Sequence, residues 1–207
     1  MKNLLITPEF YDQIYRKNPH KWEMEDYDRL AFETLSGYFG DSRPRSLLDI
    51  GCGNGHTLEY FIKRWPDVYY SGLDISNEAI QLAKRRVPQA YYYCGALEEI
   101  VFLRNYDCLL LLGVIEHFDD LAKSLKKLRK LLTLDSICYI EAPNCIDYPE
   151  SIHDEGYRKT NVGSHQVEWH LYRSTWEAIF RNAGFEIVKS LKGINMQSEF
   201  VWLVREK

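Results

Sequence analysis

Short apolar runs alternate with amphipathic stretches along most of this chain. The runs are brief and bounded by glycine, proline or polar residues, which is typical of buried strands. They predict strands at 46–50, 68–74, 90–94, 106–112, 136–142, 185–191 and 199–204. The stretches between them space apolar residues three or four positions apart, which is typical of helices that pack through one face. They predict helices at 25–38, 57–65, 76–87, 121–132 and 174–182.

This alternation predicts an α/β protein built around one sheet. Parallel neighbouring strands need a crossover, so strands that alternate with helices indicate a doubly wound, mostly parallel sheet of seven strands. Residues 192–198 join the last two strands without a helix, and we expect those strands to pair antiparallel. We expect one domain over 1–207, with an N-terminal helical lead at 1–44 and a long loop at 142–172.

Composition narrows the classes of protein. With 45% hydrophobic residues in a chain of 207, there is ample material for a core. The net charge of −4 argues against a surface that neutralises many phosphates, so nucleic acid is not the expected partner. Five cysteines without metal-binding spacing indicate reduced core thiols of a cytoplasmic protein. No apolar run has the length of a signal peptide or a membrane span, and we expect a monomer or homodimer away from membranes.

The segment 46–55 is the most informative part of the chain, because a predicted strand ends there in three alternate glycines. They are Gly51, Gly53 and Gly55. Glycine lets the backbone turn tightly and approach a ligand more closely than any Cβ permits. The next strand ends on Asp74, where a carboxylate can accept hydrogen bonds from both hydroxyls of a ribose. A dinucleotide fingerprint would need its third glycine at His56, so the spacing argues against NAD.

These residues resemble the first two motifs of class I S-adenosylmethionine-dependent methyltransferases, with 48–56 as the nucleotide loop and 72–76 as the second motif. The resemblance covers about 46–207 and implies a Rossmann-like sheet whose last strand inserts antiparallel. It also implies S-adenosylmethionine as the cofactor and S-adenosylhomocysteine as the product. The implied cofactor contacts lie in the loop and just after the next three strands. They are Asp49, Gly51, Cys52, Gly53, Gly55, Asp74, Ile75, Ala96, Leu97, Leu112 and Gly113.

A second candidate site follows the predicted strand 106–112, where Glu116 and His117 occur in a Val-Ile-Glu-His sequence. This sequence resembles the V-L/I-E-H segment of methyltransferases that act on small-molecule hydroxyls or on the 3′-terminal 2′-hydroxyl of small RNAs. An imidazole accepts protons near neutral pH, so His117 is the candidate general base and Glu116 its catalytic neighbour. The alternative, that His117 only shapes the cofactor pocket, stays open.

The same resemblance leaves a metal site as an alternative. In several of those families an acidic residue three positions before the glutamate helps to bind a divalent cation, but Gly113 occupies that position here. The small-RNA enzymes also place a metal-binding histidine before a sequence similar to the Val-Glu-Trp that follows His165. Glu116, His117 and His165 would form a partial site for a hard cation. Because one ligand is missing, we expect no metal requirement.

The resemblance implies an enzyme, and we expect O-methylation of a small-molecule acceptor. The loop at 142–172 and the N-terminal lead would close over that acceptor. Tyr11, Tyr15 and Trp22 would either cover the cationic sulfonium or pack the lead against the sheet. Two rival functions stay open: an RNA 3′-terminal 2′-O-methyltransferase, disfavoured by the acidic charge and Gly113, and a non-catalytic cofactor-binding subunit.

Overall fold

The computed structural model describes residues 7–143, 156–159, 167–192 and 199–207. Its strands are β1 (Ser46–Ile50), β2 (Tyr69–Asp74), β3 (Tyr91–Cys94), β4 (Tyr106–Leu112), β5 (Leu132–Pro143), β6 (Gly156–Lys159), β7 (Val167–His170), β8 (Phe185–Lys192) and β9 (Glu199–Glu206). Its helices are α1 (Pro8–Lys17), α2 (Glu25–Phe39), α3 (His56–Ile62), α4 (Asn77–Arg86), α5 (Leu121–Leu131) and α6 (Arg173–Asn182), and a 3₁₀ turn spans Ile115–His117. Every strand and helix that the hydrophobic pattern predicts is present.

Seven of the strands form one sheet in the order β3-β2-β1-β4-β5-β9-β8. β1 pairs in parallel with β2 and β4, and parallel pairing continues outward to β3 and β5. β9 lies between β5 and β8 and runs antiparallel to both. The predicted doubly wound, mostly parallel sheet with an antiparallel last strand is therefore confirmed.

Helices cover both faces of this sheet, because successive side chains of a strand point to opposite faces. Leu48 and Ile50 pack in a core shared with α5 and α6. Leu47, which precedes Leu48 in β1, packs on the opposite face with residues of α2, α3 and α4. The carboxyl ends of the parallel strands remain available between these two helical layers.

Helix α1 is anchored at the start of α4. The carboxylate of Asp12 accepts hydrogen bonds from the Ser76 hydroxyl at 2.6 Å and from the Glu78 backbone N–H at 3.0 Å. The guanidinium of Arg16 forms an ion pair with the Glu78 carboxylate at 2.6 Å. The N-terminal lead is thus held beside the end of β2, where Asp74 lies.

The connection predicted as a long loop at 142–172 contains two strands. β6 and β7 pair antiparallel in a small sheet of their own. The hydrophobic pattern did not indicate either strand, because each is only four residues long and mixes charged with aromatic residues. Within the described part of the chain, none of the helices has both the length and the apolar character needed to cross a bilayer.

Candidate active site

A cavity of about 590 Å³ opens at the carboxyl ends of the parallel strands. Its walls come from the segments that follow β1, β2, β3 and β4, from the end of β5, and from α1 and α2. Open α/β sheets bind their ligands at this edge. Most residues predicted to contact a cofactor line the cavity. They are Asp49, Gly51, Cys52, Gly53, Asp74, Ile75, Ala96, Leu97, Leu112 and Gly113.

The first two glycines of the loop leave no room for a side chain. Gly51 has a φ of 77°, and a Cβ there would lie 2.8 Å from Val114 Cγ2. Gly53 has a φ of 52°, and a Cβ there would lie 2.5 Å from the hydroxyl oxygen of Tyr15. Both positions favour glycine through their backbone conformation and through these contacts. At these two positions the loop therefore presents backbone without a side chain.

Gly55 has a different role from the other two glycines. It does not line the cavity, and a Cβ there would lie 3.2 Å from both Cα and Cβ of Ala83 on α4. The absent side chain allows the loop to pack closely on α4. The structure therefore places this predicted cofactor residue in the support of the loop rather than at the cavity surface.

Asp74 ends β2 with its carboxylate held by two backbone groups. Its Oδ2 accepts a hydrogen bond from the Gly53 N–H at 2.9 Å, and its Oδ1 accepts one from the Ser76 N–H at 2.8 Å. The residue is only 8% exposed. Burial raises the pKa of the Asp74 carboxyl from 3.8 to about 6, and backbone hydrogen bonds from Ser76, Gly53 and Ile75 oppose this rise. Each carboxylate oxygen retains a further lone pair for a ligand.

Asp49 lies near the end of β1 and is more deeply buried than Asp74. It is 2% exposed, and its Oδ2 has no hydrogen-bond partner within the described residues. Burial raises the pKa of its carboxyl well above 3.8, and the negative charges of Asp28 and Asp74 raise it further. A buried acceptor without a partner is unusual in a folded protein and suits a site where a ligand supplies the donor.

The two predicted catalytic residues lie in the 3₁₀ turn after β4. Glu116 and His117 both line the cavity, and Glu116 is only 4% exposed. Its Oε1 lies 3.9 Å from Nε2 of His117, whose side chain is 9% exposed. The structure therefore brings the predicted catalytic residues into the same cavity as the predicted cofactor residues.

Two further buried acids line this cavity and were missed by the sequence reasoning. Glu141, on β5, is 1% exposed, and Glu168, on β7, is 4% exposed. The Tyr139 hydroxyl donates a hydrogen bond to Glu141 Oε2 at 3.4 Å. Glu141 was the more visible of the two in the sequence, because it is a charged residue near the end of an otherwise apolar strand. With Glu116, these residues give one part of the cavity a strongly acidic lining.

Aromatic residues of the N-terminal lead also line the cavity, namely Tyr11, Tyr15 and Trp22. The ring centroids of Tyr15 and Trp22 are 5.1 Å apart, and those of Tyr11 and Trp22 are 5.9 Å apart. Burial raises the pKa of the Tyr15 phenol well above 10.0, so its hydroxyl stays protonated. The three rings thus pack together and form an apolar wall over the glycine loop.

The alternative cation site of Glu116, His117 and His165 stays a prediction, because His165 lies outside the described residues. Within the described residues, no group of three or more histidine, cysteine, aspartate or glutamate side chains has a metal-binding arrangement.

Comparison with known proteins places the chain among methyltransferases. Residues 22–190 match the model of a methyltransferase domain family. A malonyl-[acyl-carrier protein] O-methyltransferase from Priestia megaterium is 33% identical over 89 residues, which cover 42% of this chain and 32% of that protein. A trans-aconitate 2-methyltransferase from Rhodopseudomonas palustris is 29% identical over 109 residues, which cover 53% of this chain and 43% of that protein. The chain spans less than half the length of these curated relatives.

Solved structures share the fold across nearly the whole chain. The 1,6-didemethyltoxoflavin-N1-methyltransferase of Burkholderia thailandensis, solved with 1,6-didemethyltoxoflavin and S-adenosylhomocysteine, matches with a TM-score of 0.74 at 19% identity and covers 100% of this chain and 93% of that chain. At this identity the match shows the fold alone. Since the family model covers most of the sequence and the sheet order agrees, this chain belongs to the class I S-adenosylmethionine-dependent methyltransferase domains.

Proposed function

We propose that this protein transfers a methyl group from S-adenosylmethionine to an oxygen atom of a small molecule. The observation that carries the proposal is the cavity itself, in which the glycine loop and Asp74 share one space with Glu116 and His117. Family membership supports the cofactor, and the O-methyltransferase named among the relatives supports oxygen as the acceptor atom.

The residues of the cavity fit this cofactor. The remaining lone pairs of Asp74 suit the two ribose hydroxyls, and the unpartnered oxygen of Asp49 suits a donor such as the ammonium of the methionine end. The aromatic wall of Tyr11, Tyr15 and Trp22 suits a cation, because ring faces attract positive charge. When bound, S-adenosylmethionine supplies an electrophilic methyl group on a sulfonium.

The main task of these side chains is to align the two reactants and to exclude water. Alignment in attack geometry contributes about 7–11 kcal/mol to lowering a bimolecular barrier. A positioned general base adds about 10²–10⁴-fold, and we assign that role to His117. When its imidazole accepts the acceptor's proton, the adjacent carboxylate of Glu116 stabilises the cation that forms.

Methyl incorporation tests the proposal. Purified protein is incubated with S-adenosylmethionine labelled in its methyl group and with fractionated small-molecule extracts. Labelled products are identified by mass spectrometry, and NMR locates the new methyl group. We expect a small-molecule product with the methyl on oxygen, and the Asp74→Ala variant provides the inactive control. A product methylated on nitrogen would contradict oxygen as the acceptor, and labelling of RNA alone would contradict the small-molecule class. Cofactor binding without any transfer would instead indicate a non-catalytic subunit.

A further inference from the structure

The connection between α1 and α2 is bound to the glycine loop through the side chain of Asn54. This residue lies between the second and third glycines and is 7% exposed. Its Nδ2 donates hydrogen bonds to the backbone carbonyl of Pro19 and to Oε1 of Glu23, each at 2.6 Å. Its Oδ1 accepts hydrogen bonds from Nη1 of Arg86 at 2.8 Å and from the His56 backbone N–H at 3.2 Å. The side-chain amide therefore uses both of its hydrogens and both lone pairs of its oxygen.

A shared ion pair completes this junction on the side of α4. Arg86, the last residue of α4, donates from Nη2 to the same Glu23 oxygen that Asn54 contacts. The side chains of Arg86 and Glu23 are 20% and 22% exposed, so solvent screens this pair less than a pair at the open surface. Burial opposes ionisation of Glu23, but hydrogen bonds from His20, Arg86 and Asn54 lower the pKa of its carboxyl from 4.5 to about 2. Glu23 is therefore ionised at neutral pH.

The junction holds the second end of the aromatic wall over the cavity, since α1 is already anchored at the start of α4. Trp22 directly precedes Glu23 in the chain and packs on Tyr15, with ring centroids 5.1 Å apart. The hydroxyl of Tyr15 in turn adjoins Gly53. A cofactor bound along the glycine loop lies beneath these rings, so the wall must move before that cofactor leaves.

We propose that Asn54 is a positioning residue that clamps the N-terminal lead onto the glycine loop, and that opening of this clamp limits the release of S-adenosylhomocysteine. The inference rests on the cofactor binding proposed above. Position 54 must present hydrogens to Pro19 and Glu23 and an oxygen to Arg86. An aspartate has the same shape but presents oxygen on both sides, so two acceptors would then face it at hydrogen-bond distance.

The Asn54→Asp variant tests the clamp with two measurements. Surface plasmon resonance on immobilised protein gives the release rate of S-adenosylhomocysteine, which should rise about 10- to 100-fold, the range expected for loss of a hydrogen bond to a charged group. Hydrogen–deuterium exchange without ligand should become faster over 8–24 and stay unchanged over 121–131. Adding Glu23→Gln should slow the release again, because the amide introduced at position 23 can donate to the carboxylate introduced at position 54.

Asn105→Asp is the matched control, because the Asn105 side chain also donates to a backbone carbonyl, that of Leu132 at 3.2 Å. Asn105 precedes β4, at the opposite edge of the sheet from the cavity, so this variant should keep the wild-type release rate. Unchanged release in Asn54→Asp would overturn the proposal, and so would faster release that Glu23→Gln does not slow. Faster exchange along the whole chain would also overturn it, because that result indicates general destabilisation.

The two measurements also separate failure of the clamp from failure of the proposed function. A wild-type protein that does not bind S-adenosylhomocysteine would refute the cofactor binding, and the release step with it. Hydrogen exchange needs no ligand, so an unchanged rate over 8–24 in Asn54→Asp would refute the clamp while leaving the cofactor binding intact.

Discussion

Protonation of Asp74 should control the affinity for a ribose-bearing ligand in mildly acidic solution. Burial raises the pKa of this carboxyl from 3.8 to about 6. At about 1.4 kcal/mol per pKa unit, the difference corresponds to about 3 kcal/mol against the ionised form in the ligand-free protein. The ionised carboxylate accepts hydrogen bonds through both oxygens, whereas the protonated acid carries a hydrogen on one of them. Ribose binding should therefore be strongest above pH 6 and weaken as the pH falls through that value.

5′-Methylthioadenosine is the suitable probe, because it carries the ribose and lacks the amino-acid end of S-adenosylmethionine. Its Kd should rise about tenfold between pH 7 and pH 5, which follows the ionised fraction of a group whose pKa is about 6. Asp74→Asn should bind weakly at pH 7 and lose this pH dependence. Asp26→Asn, at a side chain that is 68% exposed on α2, should retain it. A wild-type Kd that is constant from pH 7 to pH 5, or an unchanged slope in Asp74→Asn, would refute the reasoning.

Three further predictions concern single residues. His117→Ala should lower kcat about 10²–10⁴-fold and change the Kd for S-adenosylhomocysteine only a few-fold. Turnover assays measure kcat, and calorimetry measures the Kd. Full turnover in this variant would exclude His117 as the general base. Burial raises the pKa of the Asp49 carboxyl well above its ordinary value of 3.8. The protonated carboxyl therefore contributes fully to the stability of the folded protein below pH 3.8. This contribution is lost as the pH rises, by at most about 1.4 kcal/mol per pH unit. Asp49→Asn should therefore melt at a higher temperature than wild type at neutral pH and lose less stability between pH 4 and pH 8; parallel melting curves would contradict this. Gly53→Ala should lower the free energy of unfolding in urea by about 1–3 kcal/mol, because its Cβ overpacks against Tyr15. Gly37→Ala, whose Cβ would meet nothing within 4 Å, is its control, and equal stability of the two variants would contradict the packing argument.

The strands of the sheet could be predicted because buried strands appear in the sequence as short apolar runs. β4 spans Tyr106–Leu112, as predicted, since its apolar run lies between β1 and β5 in the centre of the sheet. Helix α4 begins beside Ser76, where the helix was predicted to begin, and the Ser76 hydroxyl caps it by accepting a hydrogen bond from the Ala79 N–H. Helix α3 ends at Ile62, earlier than the predicted end at residue 65. Proline disfavours helical backbone at the residue before it, so the helix stops short of Pro66.

Parts of the site could not be predicted because they depend on contacts between distant segments. Glu141 reaches the cavity through its register beside Leu112 of β4 and Val201 of β9. Gly55 faces Ala83 of α4 rather than the cavity, a contact that requires the whole βαβ unit. Alternate glycines in a sequence show where a Cβ is absent. They do not show whether a ligand or another helix occupies the space.

The insertion of β9 into the sheet has a consequence for folding during translation. β9 follows every other described strand in the chain, yet it lies between β5 and β8. Its Trp202 is fully buried and packs against Trp176 and Phe180 of α6. Until 199–206 emerge from the ribosome, β5 has an unpaired edge, and Glu141 lies on it opposite the missing Val201. A nascent chain can thus assemble the glycine loop and Asp74 first, and the wall that contains Glu141 becomes fixed last.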